Sequence, residues 1–255
     1  MKKVLVLGCT GSIGSSTLDI IRNESDMFAV TGLTANSKSE LLKSLSEEFK
    51  CLSLLTTNAD EERYRYFIES CAPDIVVNGI AGSAGLLPSK ITLELGIDLA
   101  LANKETVVMA YPLIKNLSKK TGARILPVDT EHSAIFNLIN QIGKENTDRI
   151  LITASGGPFR NFSNEQLKTV TLEMSLNHPT WKMGPKITID SSTLANKGLE
   201  VIEASYLFDK PADKIDVVVH PQSIIHSMIR TNDGMIYAQL SDPDMKHPIL
   251  SALTF

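Results

Sequence analysis

At 255 residues, with 43% apolar residues, 15 Gly and 11 Pro, the chain has the composition of an ordinary globular protein with room for one large or two modest domains. Twenty-five basic against 29 acidic residues give a net charge of −4, which excludes a general attraction to nucleic acid or an anionic membrane and requires any phosphate to be held by a local pocket. Cys9, Cys51 and Cys71 share no metal-ligand spacing and are odd in number, so buried thiols in a reducing compartment are expected and a disulfide framework is not. There is no apolar run of about 18 residues, and Met1-Lys2-Lys3 enters a strand directly, without the apolar region of a signal peptide. A cytoplasmic protein without a membrane partner is expected.

Val4-Leu5-Val6-Leu7 is an apolar run of the buried parallel-strand kind, followed by Gly8-Cys9-Thr10-Gly11-Ser12-Ile13-Gly14 and a helical stretch through about Arg22. A strand, a glycine turn and a helix in this order suit a dinucleotide, with its pyrophosphate on the helix N-terminus. The spacing is G-x-x-G-x-x-G and not the commoner G-x-G-x-x-G, so a plain glycine-rich turn is the alternative. After the second strand, Phe28 to about Leu33, an NAD enzyme usually places a carboxylate for the ribose 2′-hydroxyl; Thr34-Ala35-Asn36-Ser37-Lys38 offers donors instead, which favours the 2′-phosphate of NADP.

Helices at about 38–49 and 59–70 alternate with strands at 52–55, 74–78 and 97–102. This βα rhythm predicts a parallel sheet covered on both faces. Asn103-Lys104-Glu105 stands at the carboxyl end of the last of these strands, where open α/β sheets bind ligands; capping and ion pairing are the alternative for the tripeptide. Arg124 to Glu131 carries Asp129 and Glu131 at i and i+2, on one face if the chain there is extended, and two converging carboxylates suit a divalent ion if a third joins them. A strand over 149–154 runs into Ser155-Gly156-Gly157-Pro158, a turn whose amides and hydroxyl can cradle phosphate. Beyond it, strands are expected at about 187–190, 216–219, 223–229 and 234–240 in a mixed sheet. The fold class is therefore α/β, a Rossmann-like doubly wound parallel sheet over 1–128 followed by an α+β catalytic domain with a mixed sheet over 129–255.

The segment from His178 to Glu200 is chemically the densest in the chain. His178, Trp181 and Met183 lie in a Pro-flanked loop that suits a lid, although Trp181 also suits a core position. Ser191-Ser192, after the expected strand, reads as a helix N-cap open to an anion. Asn196, Lys197 and Glu200 then share one helix face, where Glu200 can be the third carboxylate; a bare Lys197–Glu200 surface pair is the alternative.

With these residues in view, nearly the whole chain resembles the 1-deoxy-D-xylulose 5-phosphate reductoisomerase family. The resemblance runs through GCTGSIGSSTLDI, GLLP, LANKE, PVDTEHSAIF, ASGGPFR, HPTWKMGPKITIDSSTLANKGLEVIEA, VVVHPQSIIHSMI and QLSDPDMKHPI. It implies NADPH- and divalent-metal-dependent rearrangement and reduction of 1-deoxy-D-xylulose 5-phosphate to 2-C-methyl-D-erythritol 4-phosphate in isoprenoid biosynthesis by the non-mevalonate pathway, in a homodimer. It places Mg²⁺ or Mn²⁺ on Asp129, Glu131 and Glu200. It places the substrate phosphate on Ser155, Ser191, Asn196 and Lys197, substrate oxygens on Lys104 and Thr130, and a mobile flap that closes on the substrate on His178, Trp181 and Met183, with His178 also close to the substrate. Lys104, Asp129, Glu131, His178 and Glu200 are the catalytic set it implies. The nucleotide falls on Thr10, Gly11, Ser12 and Ile13, on Asn36, Ser37 and Lys38, and on Asn103 and Glu105. His132 and His226 match family histidines without an assigned role. Thr130 stands where relatives usually carry Ser, the adenosine turn differs from the usual Ala-Gly-Lys-Asn, and the segment from about 50 to 75 is shorter than in many relatives. The chain stops at Phe255, where the family continues into a C-terminal helical domain that is expected to be missing here. A plain NADP-dependent dehydrogenase and a non-catalytic fragment that binds nucleotide or sugar phosphate are the alternative readings.

Overall fold

The computed structural model describes residues 1–181 and 184–255, and these fall into two compact units, Met1–Asp129 with Met245–Phe255, and Thr130–Asp244. Met183 lies outside the described residues.

The first unit is built on six parallel strands, β1 (Lys2–Leu7), β2 (Phe28–Ala35), β3 (Leu52–Leu55), β4 (Ile75–Asn78), β5 (Asp98–Leu101) and β6 (Ile125–Pro127), in the order β3-β2-β1-β4-β5-β6. Val4 to Leu7 and Ile75 to Val77 are fully buried, as strands sandwiched between helical layers must be. The connecting helices are α1 (Ser12–Asn23), α2 (Ser39–Phe49), α3 (Glu61–Cys71), α4 (Leu86–Glu94) and α5 (Lys104–Thr121). Helix α5 kinks at Ala110 (φ −142°, ψ 24°), two residues before Pro112, whose missing N–H and bulky ring break the regular ladder. The strand order reverses direction between β1 and β4, and a crevice opens at the carboxyl ends of the strands there.

Gly14 lets α1 start hard against the turn that feeds it. A Cβ at this position would lie 2.4 Å from the Gly8 carbonyl oxygen and 2.5 Å from Cys9 Cα, backbone atoms that cannot swing aside.

The second unit packs α6 (Thr130–Ile142) and α10 (Ala195–Phe208) on a mixed sheet of β7 (Thr147–Ala154), β8 (Ile215–Val219), β9 (Ile225–Thr231) and β10 (Ile236–Leu240), in the order β10-β9-β7-β8. Strand β7 pairs parallel with β8 and antiparallel with β9. Its core joins Ile135 and Leu138 of α6, Ala204 and Phe208 of α10, and Ile150, Ile152, Ile215 and Ile229 of the sheet. Val217, Val218 and Val219 on β8 and Ile236, Tyr237 and Leu240 on β10 are exposed. The short helices α7 (Asn164–Leu167) and α8 (Leu172–Leu176) precede α9 (Pro185–Ser192).

Four sequence expectations change. Residues 187–190 are helical, inside α9: Pro185 pre-sets the first turn, Thr188 returns its N–H and hydroxyl to the Gly184 carbonyl, and Lys186 pairs with Asp190 at 2.8 Å. These local contacts override the β-branched run Ile187-Thr188-Ile189. Ser191 and Ser192 therefore end α9 and do not cap α10, which begins after Leu194 in the left-handed region (φ 61°). Glu131 lies in the first turn of α6, so Asp129 and Glu131 are not neighbours on an extended strand. The second expected domain covered 129–255; in the structure α11 (Lys246–Thr254) belongs to the first unit, where it packs on α1 and its Leu253 carbonyl accepts from Lys2 Nζ at 3.0 Å.

Candidate active site

In the first unit an open cleft of about 550 Å³ is lined by Gly8, Thr10 and Gly11 of the glycine turn, Thr34 to Asn36 at the end of β2, and the 79–87 loop. Among the described residues no carboxylate lines it, and the first turn of α1 carries no acidic residue. Gly11, the N-cap of α1, lines this cleft, so the positive end of the helix dipole meets it, an arrangement suited to an anionic ligand. Thr10 and Ile13 are half-buried, while Gly11, Ser12, Asn36, Ser37 and Lys38 are exposed. Thr34 holds the turn in place, its hydroxyl accepting from the Gly8 N–H at 3.0 Å and its carbonyl from the Cys9 N–H at 2.8 Å.

Asn103 is buried and makes structural contacts. Its side-chain oxygen accepts from the Thr106 N–H at 2.8 Å, capping α5, and its amide donates to the carbonyls of Ile80 and Gly82 at 2.6 and 2.8 Å. It thus ties the 79–87 loop beside the cleft to the helix. Glu105 sits at 3.4 Å from the same amide. Lys104 is buried and its ammonium lies 2.6 Å from Asp129 Oδ2.

In the second unit the face expected for α10 is present. Lys197, only 7% exposed, donates to Glu131 Oε1 at 2.5 Å, to the Thr153 carbonyl at 2.6 Å, and to Glu200 Oε2. Asn196 donates to the other Glu200 oxygen at 2.5 Å. Burial works against the Lys197 charge, but Glu131 and Glu200 outweigh it and raise its pKa above the ordinary value. Two carboxylates have been brought together around one ammonium. Asp129 lies two residues before Glu131 along the chain, at the end of the first unit.

Glu200 has a second support that sequence spacing did not disclose. His132 is fully buried, its Nε2 lies 2.9 Å from the Glu200 carbonyl oxygen, and its Nδ1 lies 3.6 Å from Glu203 Oε2. Glu203 follows Glu200 by one helical turn, the only local signal for this link. Thr130 is buried at the start of α6. His226 is buried and its Nε2 lies 2.7 Å from Ser241 Oγ.

The Ser155 turn meets the end of α9 closely: a Cβ on Gly157, whose φ is +68°, would lie 2.8 Å from the Ser191 carbonyl oxygen. Ser155 and Ser191 are half-buried, as are His178 and Trp181. Ser155 Oγ lies 3.0 Å from His178 Nε2. Burial lowers the His178 pKa below the ordinary imidazole value, and the nearby Arg160 charge lowers it further.

A 3-2-1-4-5-6 parallel sheet with an acid-free glycine-turn cleft, followed by a unit where carboxylates converge on a buried lysine, defines a dinucleotide-binding α/β protein carrying a separate polar centre. The 1-deoxy-D-xylulose 5-phosphate reductoisomerase family matches over residues 4–67 and 54–111, and the family's C-terminal domain model over 125–208. The reductoisomerase of Treponema denticola is 54% identical over 100% of this chain and 69% of its own length, and that of Treponema pallidum is 47% identical with the same coverage. A crystal structure of DOX-P reductoisomerase in complex with NADPH, fosmidomycin and magnesium superposes with a TM-score of 0.91 at 38% identity, covering 100% of this chain and 70% of that one. The chain belongs to the 1-deoxy-D-xylulose 5-phosphate reductoisomerase family.

Proposed function

We propose that the chain rearranges 1-deoxy-D-xylulose 5-phosphate and reduces the product to 2-C-methyl-D-erythritol 4-phosphate, as an NADP-dependent oxidoreductase of isoprenoid biosynthesis acting in the cytoplasm. The observation that carries this reading is the 54% identity to a reductoisomerase across the full chain.

The first unit is the nucleotide side. NADPH, when bound, supplies the hydride. Thr10, Gly11, Ser12 and Ile13 receive its pyrophosphate, and Asn36, Ser37 and Lys38 receive the 2′-phosphate at a strand end free of carboxylates, which supports NADP over NAD. Asn103 acts here as the brace of the cleft wall, with Glu105 beside it.

The second unit is the chemical side. Asp129, Glu131 and Glu200 form the metal-binding set, and an all-oxygen, all-carboxylate donor set fits a hard cation such as Mg²⁺ or Mn²⁺. The cluster around Lys197 supports this fit, because Glu131 and Glu200 already converge on a positive charge. The metal, when bound, supplies Lewis-acid polarisation of substrate oxygens. Asn196 and the His132 contact orient Glu200, while Lys104 holds Asp129 and, with Thr130, faces substrate oxygens. Ser155, Ser191, Asn196 and Lys197 form the phosphate pocket, and the segment carrying His178 and Trp181 closes over it to exclude water. The exposed apolar residues of β8 and β10 support pairing with a second copy into a homodimer.

The test follows NADPH absorbance with 1-deoxy-D-xylulose 5-phosphate. Oxidation is expected with Mg²⁺ or Mn²⁺ and none after chelation. A folded chain that leaves NADPH unchanged with both metals overturns the reading, and metal-independent oxidation identifies a plain dehydrogenase instead.

A further inference from the structure

We infer that His178 is a positioning residue that makes the Ser155 hydroxyl an obligate hydrogen-bond donor to an anion, an inference that rests on the proposed phosphate role of Ser155. His178 Nδ1 faces two backbone donors, the Thr180 N–H at 3.1 Å and the Trp181 N–H at 3.0 Å. A ring nitrogen approached by two N–H groups must present its lone pair, so the neutral imidazole carries its proton on Nε2. That Nε2–H is 3.0 Å from Ser155 Oγ. The Gly157 N–H approaches the same oxygen at 3.5 Å.

Ser155 Oγ is therefore supplied with donors from the protein, and its own single proton is left for a third group. An unprotonated phosphate oxygen, which only accepts, matches that proton. A ligand that offers a donor does not.

Local sequence explains how the histidine is set. Helix α8 ends at Leu176, and in His178-Pro179-Thr180-Trp181 the proline has no N–H, so the first amides available to fold back on the imidazole are those of Thr180 and Trp181. Burial and the Arg160 charge both disfavour a second ring proton, which would compete with those amides for Nδ1. The Ser155–His178 contact spans 23 residues of chain and links the flap segment to the phosphate turn. The positioning acts on ligand selection and leaves the reacting carbons to other groups.

The experiment titrates inorganic phosphate into the full chain by ³¹P NMR and reads the His178 ring nitrogens by ¹⁵N NMR. Ser155→Ala and His178→Phe are each expected to weaken phosphate binding roughly tenfold, as loss of a charge-assisted hydrogen bond does. The double variant is expected to bind no worse than either single one, since the two side chains act as a unit. His178→Gln, whose amide can place an N–H near the Nε2 position, is expected to recover most of the affinity. The unmodified chain is expected to show the Nε2–H tautomer, a readout that stands even where His178→Phe fails to fold. Independent, multiplying losses, or an Nδ1–H tautomer, overturn the positioning role. Undiminished phosphate binding by Ser155→Ala overturns instead the phosphate role of Ser155 itself, and neither result depends on turnover.

Discussion

Replacing Lys197 with Met separates charge balance from packing at the centre of the second unit. The methionine keeps much of the aliphatic stem, which is buried, but removes the ammonium that Glu131, Glu200 and the Thr153 carbonyl surround. Breaking one side of a buried ion pair costs about 3–5 kcal/mol, because the remaining charge is left uncompensated. Glu131 retains 19% side-chain exposure and can recruit water, which places the expected loss near the lower end, about 3 kcal/mol. At 2–4 °C per kcal/mol for a chain of this size, melting in the presence of a chelator should fall by about 6–12 °C. Added Mg²⁺ then supplies the missing positive charge, so it should raise the melting temperature of Lys197→Met by more than that of the unmodified chain. Paired thermal melts with EDTA and with Mg²⁺ make the measurement. An unchanged melting temperature in EDTA, or equal Mg²⁺ gains in both proteins, would refute the idea that Lys197 is the charge that holds these carboxylates together.

Glu200→Gln keeps the side-chain shape and should leave the circular dichroism spectrum unchanged while reducing metal-dependent NADPH oxidation to background; retained turnover would remove Glu200 from the metal set. Gly14→Ala forces a Cβ to within 2.4 Å of the Gly8 carbonyl oxygen, so it should cost about 1–3 kcal/mol in urea unfolding and weaken NADPH binding, measured by fluorescence titration. Hydrogen bonds from Lys214 and Arg230 lower the Asp148 carboxyl from its ordinary 3.8 to about 2. A lowered carboxyl pKa stabilises the fold above the ordinary value and loses that contribution as pH falls through the folded one, so stability should decline between about pH 4 and pH 2, and Asp148→Asn should flatten that part of the curve.

The parallel sheet was readable because its signals are local: short apolar strands, glycine turns and amphipathic helices each repeat within about 30 residues. The Gly8–Gly14 turn and the carboxylate-free end of β2 were visible for the same reason. Helix α9 was not, because its β-branched run has the period of a strand while Pro185, the Gly184 carbonyl and the Lys186–Asp190 pair decide for helix. Ser191 and Ser192 follow from this, since they end α9 and do not cap α10. Asn103, placed by resemblance among nucleotide contacts, has its side chain engaged with Ile80, Gly82 and Thr106.

The sequence by itself determined the family, the βα frame, and the common face of Asn196, Lys197 and Glu200, since a helix converts spacings of three and four into neighbours. Only the tertiary structure decided what that face meets. Glu131 is 66 residues away from Lys197 in the chain, Thr153 is 44 away, and His132 is 68 away from Glu200. No local period encodes such distances. They are set when α6 and α10 pack on one sheet, where burial makes pairing of charges favourable.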